Sequence, residues 1–317
     1  MAKKRNAAQR QRARMRQQQQ RAAFASPDDS TGSAPVPRPV RRPASAGSHG
    51  SSTRWAPMIV GAVALIAVVM FVLFLNRSEE PSTDGGSAAS IAKVTNVPAS
   101  TLAQVGVPSD LPIPPRLPAG TPPVRSEGKP VVTYIGSEYC PFCAMERWPM
   151  VIALSRFGTF SNLSATTSGP PPEVYPNTPT LTFYGSSYTS DHLVFSSVEL
   201  QTRTGETLDS MTAKQQRLFS TYDRQQYTGG NDRAIPFVMI GNLYVWAGAS
   251  YDPNVITGLT FDEIAGLLAD PSSEVAQEID ATANQITAMI CQLTDNQPQS
   301  VCSAAYIQQA QADLQGQ

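Results

Sequence analysis

The sequence predicts an α/β domain of the α/β or α+β kind, lying outside a membrane behind one N-terminal spanning helix. Three observations predict it. An uncharged apolar run covers Trp55–Leu75, strands and helices alternate after Pro130 around a Cys-x-x-Cys turn, and all four cysteines lie beyond the apolar run.

The run Met58–Leu75 (MIVGAVALIAVVMFVLFL) is almost wholly apolar. Eighteen helical residues span about 27 Å, close to the hydrocarbon thickness of a bilayer. A soluble helix of that length rarely lacks a polar face. A cleaved signal peptide is the rival reading, but 54 residues precede Trp55, where the uncharged run begins, and no A-x-A site follows it. Residues 55–76 are therefore expected to be an uncleaved transmembrane helix that contacts lipid through Met58–Leu75.

Charge supports an orientation. Residues 1–55 hold 12 Lys/Arg and 2 acids, whereas the rest of the chain holds 12 Lys/Arg and 23 acids. Cytoplasmic flanks carry the positive excess, so the N-terminus is expected in the cytoplasm and the C-terminal domain outside the cell membrane. Residues 1–54 read as a basic, disordered cytoplasmic tail, Arg/Gln-rich and then Ser/Pro/Gly-rich. Its charges suit topology, with anionic lipid or nucleic acid as the competing use. The acidic exterior argues against nucleic acid there.

Residues 77–129 read as a Ser/Gly linker followed by a Pro-rich extended arm. Eight prolines between positions 98 and 123 preclude one continuous helix. The compact domain is expected over residues 130–317. Val131–Ile135 is an apolar, β-branched strand. Ala144–Phe157 has helical apolar spacing, with Pro149 expected to kink it. Phe160–Thr167, Thr180–Tyr184 and Leu193–Leu200 read as strands, and Thr212–Tyr222 as a helix. Phe237–Ile240 and Tyr244–Ala247 flank Gly241-Asn242, a hairpin turn pair. Phe261–Leu268, Ser273–Leu293 and Ser303–Leu314 read as helices, the last two forming a C-terminal helical hairpin.

Cys140-Pro141-Phe142-Cys143 is the sharpest signal. At a helix N-terminus the first sulfur meets unpaired N–H groups and the positive dipole end, which favour its thiolate. The second sulfur lies one turn on and can close the disulfide. Pro141 suits a first turn, where its missing N–H costs little. Three other readings compete. A zinc half-site needs further ligands, and of the two histidines His49 lies before the span; a metal is not expected. A copper site would draw on His192 or Met145, which no motif places. A purely structural disulfide is the third. Cys291 and Cys302 flank an Asp295–Pro298 turn and are expected to staple the helical hairpin, rather than form a second redox pair.

The strand Val131–Ile135 followed by Glu138-Tyr139-Cys140-Pro141-Phe142-Cys143 resembles the thioredoxin superfamily's first core strand and active-site turn. Pro149 sits near that family's kink proline, and Ala234-Ile235-Pro236-Phe237-Val238 resembles its cis-proline segment. The resemblance implies a thioredoxin-like fold, Cys140 as nucleophile, Cys143 as resolving thiol, Pro236 as a cis-proline, and Ile235 as the neighbour that binds an extended substrate. The segment YIGSEYCPFCAMERWPM, with a long insert over residues 168–212 before that proline, is similar to the thioredoxin-like family called domain of unknown function 929, over roughly residues 90–315. Two departures stand out. Phe142 replaces the His common in oxidising relatives, and the strand before the helix carries no buried acid. Glu138, two residues before Cys140, works against the thiolate.

The expected function is a membrane-anchored, extracytoplasmic thiol–disulfide oxidoreductase acting on cysteines of exported proteins. It needs no cofactor beyond the dithiol, and a membrane redox partner resets it. The residues leave oxidant and reductase both open. A non-catalytic docking module of the cell envelope, built on the arm and the insert, is the alternative.

Overall fold

The computed structural model describes residues 86–316. In chain order these form helices α1 (Ala88–Thr95) and α2 (Ala99–Val105), strands β1 (Arg125–Ser126) and β2 (Lys129–Gly136), and helix α3 (Pro141–Leu154). Strands β3 (Thr159–Ser161), β4 (Ser164–Thr167), β5 (Pro179–Thr182), β6 (Ser187–Thr189) and β7 (Val194–Glu199) follow. Helices α4 (Ala213–Tyr222) and α5 (Gln225–Thr228) precede β8 (Phe237–Ile240) and β9 (Tyr244–Ala247). A 3-10 turn at Pro253–Ile256 leads to α6 (Phe261–Leu267), α7 (Glu274–Leu293), α8 (Gln299–Cys302) and α9 (Ala305–Gln315). The expected span Met58–Leu75 and the basic tail lie outside the described residues. Among the described residues no helix is long and apolar enough to cross a membrane.

Strand β2 is the centre of the main sheet. It pairs parallel with β7 on one side and antiparallel with β8 on the other, and β9 pairs antiparallel with β8. Its residues are buried on both faces, as its unbroken apolar run requires. Val132 and Tyr134 enter a core shared with α3, α6 and α7, whereas Val131 and Ile135 enter a second core with Phe237, Met239 and, from α4, Leu218 and Phe219. This alternation is the period of two of a strand covered by helices on both faces.

The hairpin turn follows from its residues. Gly241 has φ +56°, and a Cβ there would come within 2.2 Å of Leu293, so only glycine fits the turn against α7. Helix α4 opens on a capping box between Thr212 and Gln215, and α6 on one between Thr260 and Glu263.

Three expectations are modified. The Pro-rich arm is not wholly extended: Pro98 and Pro108 bound windows long enough for short helices, and Val94 and Leu102 are buried in the first core. The expected strand Phe160–Thr167 is broken at Asn162, whose φ of +57° takes the chain out of the strand region. Its two pieces pair separately, β3 with β6 and β4 with β5. Pro149 lies inside helix α3, as expected for a proline in that position of the chain. The insert expected over 168–212 is interrupted by β7, which joins the main sheet.

A disulfide joins Cys291 of α7 to Cys302 of α8, with Cα atoms 5.6 Å apart. It ties α7 to the segment that leads into α9, which packs back on α7. Cys302→Ser is expected to lower unfolding stability by about 2–3 kcal/mol, since it frees a short closed loop in the unfolded chain. Urea denaturation of oxidised wild type and variant measures this, and equal midpoints would refute it.

Two buried carboxyls carry a pH signature. Burial pushes Asp280, on α7, up to about 8, and neither of its oxygens has a hydrogen-bond partner among the described residues. Burial, and after it the Asp232 carboxylate, push Asp223 up to about 8 against the pull of the Ala234 N–H. The folded chain keeps these protons up to about pH 8, whereas the unfolded chain releases them near pH 4. The folded state therefore binds more protons over that interval, and its stability falls as pH rises through it. Asp280→Asn is expected to reduce that slope and to raise stability at about pH 9 by about 1–3 kcal/mol. Denaturation midpoints across pH test this, and a variant that parallels wild type at every pH would exclude it.

Candidate active site

Strand β2 ends at Gly136 and the chain turns through Ser137–Tyr139 into α3. Cys140 is the N-cap of α3, in extended conformation, and its Sγ accepts the Cys143 backbone N–H at 3.3 Å. Pro141 occupies the first helical turn. The Cys140 thiol donates to the Ile235 carbonyl at 3.6 Å. The structure thus brings together the two cysteines and the Ile235–Pro236 segment, whose peptide bond is cis, although 95 residues separate Cys140 from Ile235. Both cysteines are free thiols.

The two sulfurs differ in depth. Cys140 is 5% exposed and Cys143 is fully buried. Burial pushes the Cys143 thiol well above its ordinary value, the hydrogen bond and charge of Cys140 push it further, and Arg147 pulls against them. Cys143 is therefore the protonated partner at neutral pH. Cys140 holds the helix N-terminus and the outermost position, so it is the sulfur suited to attack.

A buried ion pair lies beneath the dithiol. Arg147, one helical turn beyond Cys143, donates to Glu199 through Nε at 2.8 Å and Nη2 at 2.7 Å, and through Nη2 to the Ser137 carbonyl at 2.9 Å. Both side chains are essentially inaccessible. Burial pushes the Glu199 carboxyl up and Arg147 pulls it back. Tyr134 completes the floor, with the Arg147 guanidinium 5.9 Å from its ring centroid. Sequence reasoning missed this pair. Its signal was a Glu146-Arg147 doublet inside an otherwise apolar helix face, and a Glu closing the apolar strand Leu193–Leu200. Glu146 is buried as well and accepts from the Trp246 indole at 3.2 Å and the Ser250 N–H at 2.9 Å.

The segment after β4 crosses the mouth of the site. The Gly169 N–H donates to the Tyr139 carbonyl at 2.8 Å, and the Tyr175 ring meets Phe142 edge-to-face at 6.2 Å. Phe142 is 4% exposed and supplies an apolar wall. Met145 is buried in α3 and His192 lies in the turn before β7. Among the described residues no cluster of three or more His, Cys, Asp or Glu side chains is placed to hold a metal ion.

Residues 120–292, more than half of the chain, match the family described as a domain of unknown function (DUF929). No curated protein and no solved structure matches the chain.

Proposed function

We propose a function for this chain, which belongs to the family described as a domain of unknown function, DUF929. It is a thiol–disulfide oxidoreductase of thioredoxin-like fold, anchored in the cell membrane through Met58–Leu75 and facing cysteine-containing exported proteins. The observation that carries the reading is the seat of Cys140. Its sulfur caps a helix N-terminus, accepts the Cys143 N–H and touches the carbonyl that precedes a cis-proline. The strand order β7-β2-β8-β9, with β7 parallel and the other pairs antiparallel, supports the thioredoxin-like reading, as does a helix carrying the dithiol directly after the central strand.

The exchange follows from the geometry. Cys140 thiolate attacks one sulfur of a substrate disulfide, forming a mixed disulfide and releasing the other substrate sulfur as a thiolate. Cys143, giving up its proton, then attacks Cys140 Sγ and releases the second substrate thiol. Two electrons pass to the substrate and Cys140–Cys143 becomes the disulfide; the reverse sequence oxidises a substrate dithiol. A membrane redox partner restores the starting state.

The low exposure of Cys140 favours a second reading, a docking module with a sealed dithiol. Thiol labelling with and without mild reductant separates the two. A cycling pair gains label after mild reduction of the oxidised protein, and a sealed one does not. The reduction potential then sets the direction: a value near about −120 mV implies an oxidant and one near about −270 mV a reductase. A reporter fused after Leu314 is expected to be active only outside the cytoplasm, and cytoplasmic activity would overturn the orientation.

A further inference from the structure

The arm before β1 does more than cover an edge. Its residues Pro115–Leu117 add to the rim of β9: the Val245 N–H donates to the Pro115 carbonyl at 3.1 Å and the Leu117 N–H to the Leu243 carbonyl at 2.9 Å. Arg116 and Tyr244 form the antiparallel bridge between them. This pairing holds the preceding prolines opposite the dithiol end of the domain. Between them lies a cavity of about 260 Å³, lined by Pro112 and Pro114 of the arm, Phe142 and Ile235 beside the sulfurs, and Trp246 and Ala249, with Asn231 and Ser250 among its polar lining.

We propose that this arm-built cavity seats one bulky apolar side chain next to the reacting cysteine of an extended substrate segment.

Three observations lead there. The first is position: Phe142 lies between the two cysteines in sequence, and Ile235 offers its carbonyl to Cys140 Sγ at 3.6 Å, so a residue beside a cysteine bound at Cys140 falls at this wall. The second is size. The cavity is larger than the roughly 150 Å³ that encloses a benzene and smaller than the roughly 300–1,000 Å³ of sites for whole small molecules, which fits one aromatic or long aliphatic side chain. The third is charge. No ionisable residue lines the cavity, so a carboxylate or ammonium would lose its water there without a partner. The selected substrates are cysteine-containing segments with Phe, Leu, Met or Trp beside the cysteine.

The proposal rests on the redox reading, and its test separates the two. The purified full chain is given disulfide-linked peptides identical but for Phe, Leu, Gly or Asp next to the cysteine. The Phe and Leu peptides are expected to exchange about tenfold to a hundredfold faster than the Asp peptide, the factor that burying one apolar side chain supplies. In parallel, a fluorine label on the Trp246 indole is expected to shift with N-acetyl-phenylalanine amide and not with the aspartate analogue. Ala249→Phe, which fills the cavity, is expected to bring the peptide rates within about twofold of one another. Exchange at equal rates for all four peptides overturns the cavity assignment while leaving the redox reading. A selective Trp246 shift without exchange supports the cavity and overturns the redox reading, and absence of both overturns both. The wild-type measurements decide the matter even if the variant fails to fold.

Discussion

Cys143→Ser is expected to arrest the chain as mixed disulfides with exported proteins, whereas Cys140→Ser forms none and Cys140→Ser/Cys143→Ser resembles it. The asymmetry comes from depth. Cys140 is the outer sulfur, at the helix N-terminus, and Cys143 is fully buried one turn into the helix. Without Cys143 the first attack still succeeds, but no thiol remains to release the partner. The same geometry fixes a pH dependence. Burial holds the Cys143 thiol well above its ordinary value, so below that value its thiolate fraction, and with it the rate of release, rises about tenfold per pH unit. Mixed-disulfide lifetime in the wild type is thus expected to shorten as pH rises. Non-reducing gels of cells quenched with acid, followed by mass spectrometry, measure both effects. Equal trapping by the two single variants would reject Cys140 as the attacking sulfur, and no trapping by Cys143→Ser would favour the docking module.

Elements whose cause is local were legible in the sequence. Gly241-Asn242 between two short apolar runs marks the β8–β9 hairpin, and the apolar run Val131–Ile135 marks the central strand, because turn chemistry and burial act within a few residues. The Cys140–Cys143 spacing marks a helix start for the same reason. What escaped depends on residues far apart in sequence. The break at Asn162 is a single left-handed residue, marked in the sequence only by two successive polar residues, Ser161 and Asn162, between Phe160 and Leu163. The arm helices α1 and α2 bury only Val94 and Leu102 among their large apolar residues, too few for a periodic signal. The strand before the dithiol carries no acid, and the acid beneath the sulfurs arrives instead from β7. Glu199 sits opposite Gly136 in the parallel register, and only the pairing of β7 with β2 brings it to Arg147, 52 residues away.

That pairing carries the second large effect. Glu199→Leu is expected to destabilise the domain by about 3–5 kcal/mol, because it leaves the Arg147 guanidinium buried without a counter-charge. For a domain of this size that corresponds to a fall in melting temperature of about 10 °C. Arg147→Met leaves Glu199 in the same position, but a carboxyl can take up a proton, so this variant is expected to lose less, and least at low pH. Arg147→Met/Glu199→Leu is expected to recover most of the loss, since two apolar side chains then fill the volume of a desolvated ion pair. The thiols report the same pair through a different quantity. Arg147 pulls the Cys143 thiol down and Glu199 pushes it up, so Arg147→Met raises that thiol further, and in the double variant the two effects oppose. A folded Arg147→Met protein is therefore expected to release mixed disulfides more slowly than wild type at a given pH, and the double variant to lie between them. Calorimetry across pH and the rate of mixed-disulfide release separate the two roles. If the double variant is no more stable than Glu199→Leu, the pair is not the isolated buried charge couple that its bonds describe. If Arg147→Met changes stability but not release, Arg147 supports the helix without acting on Cys143.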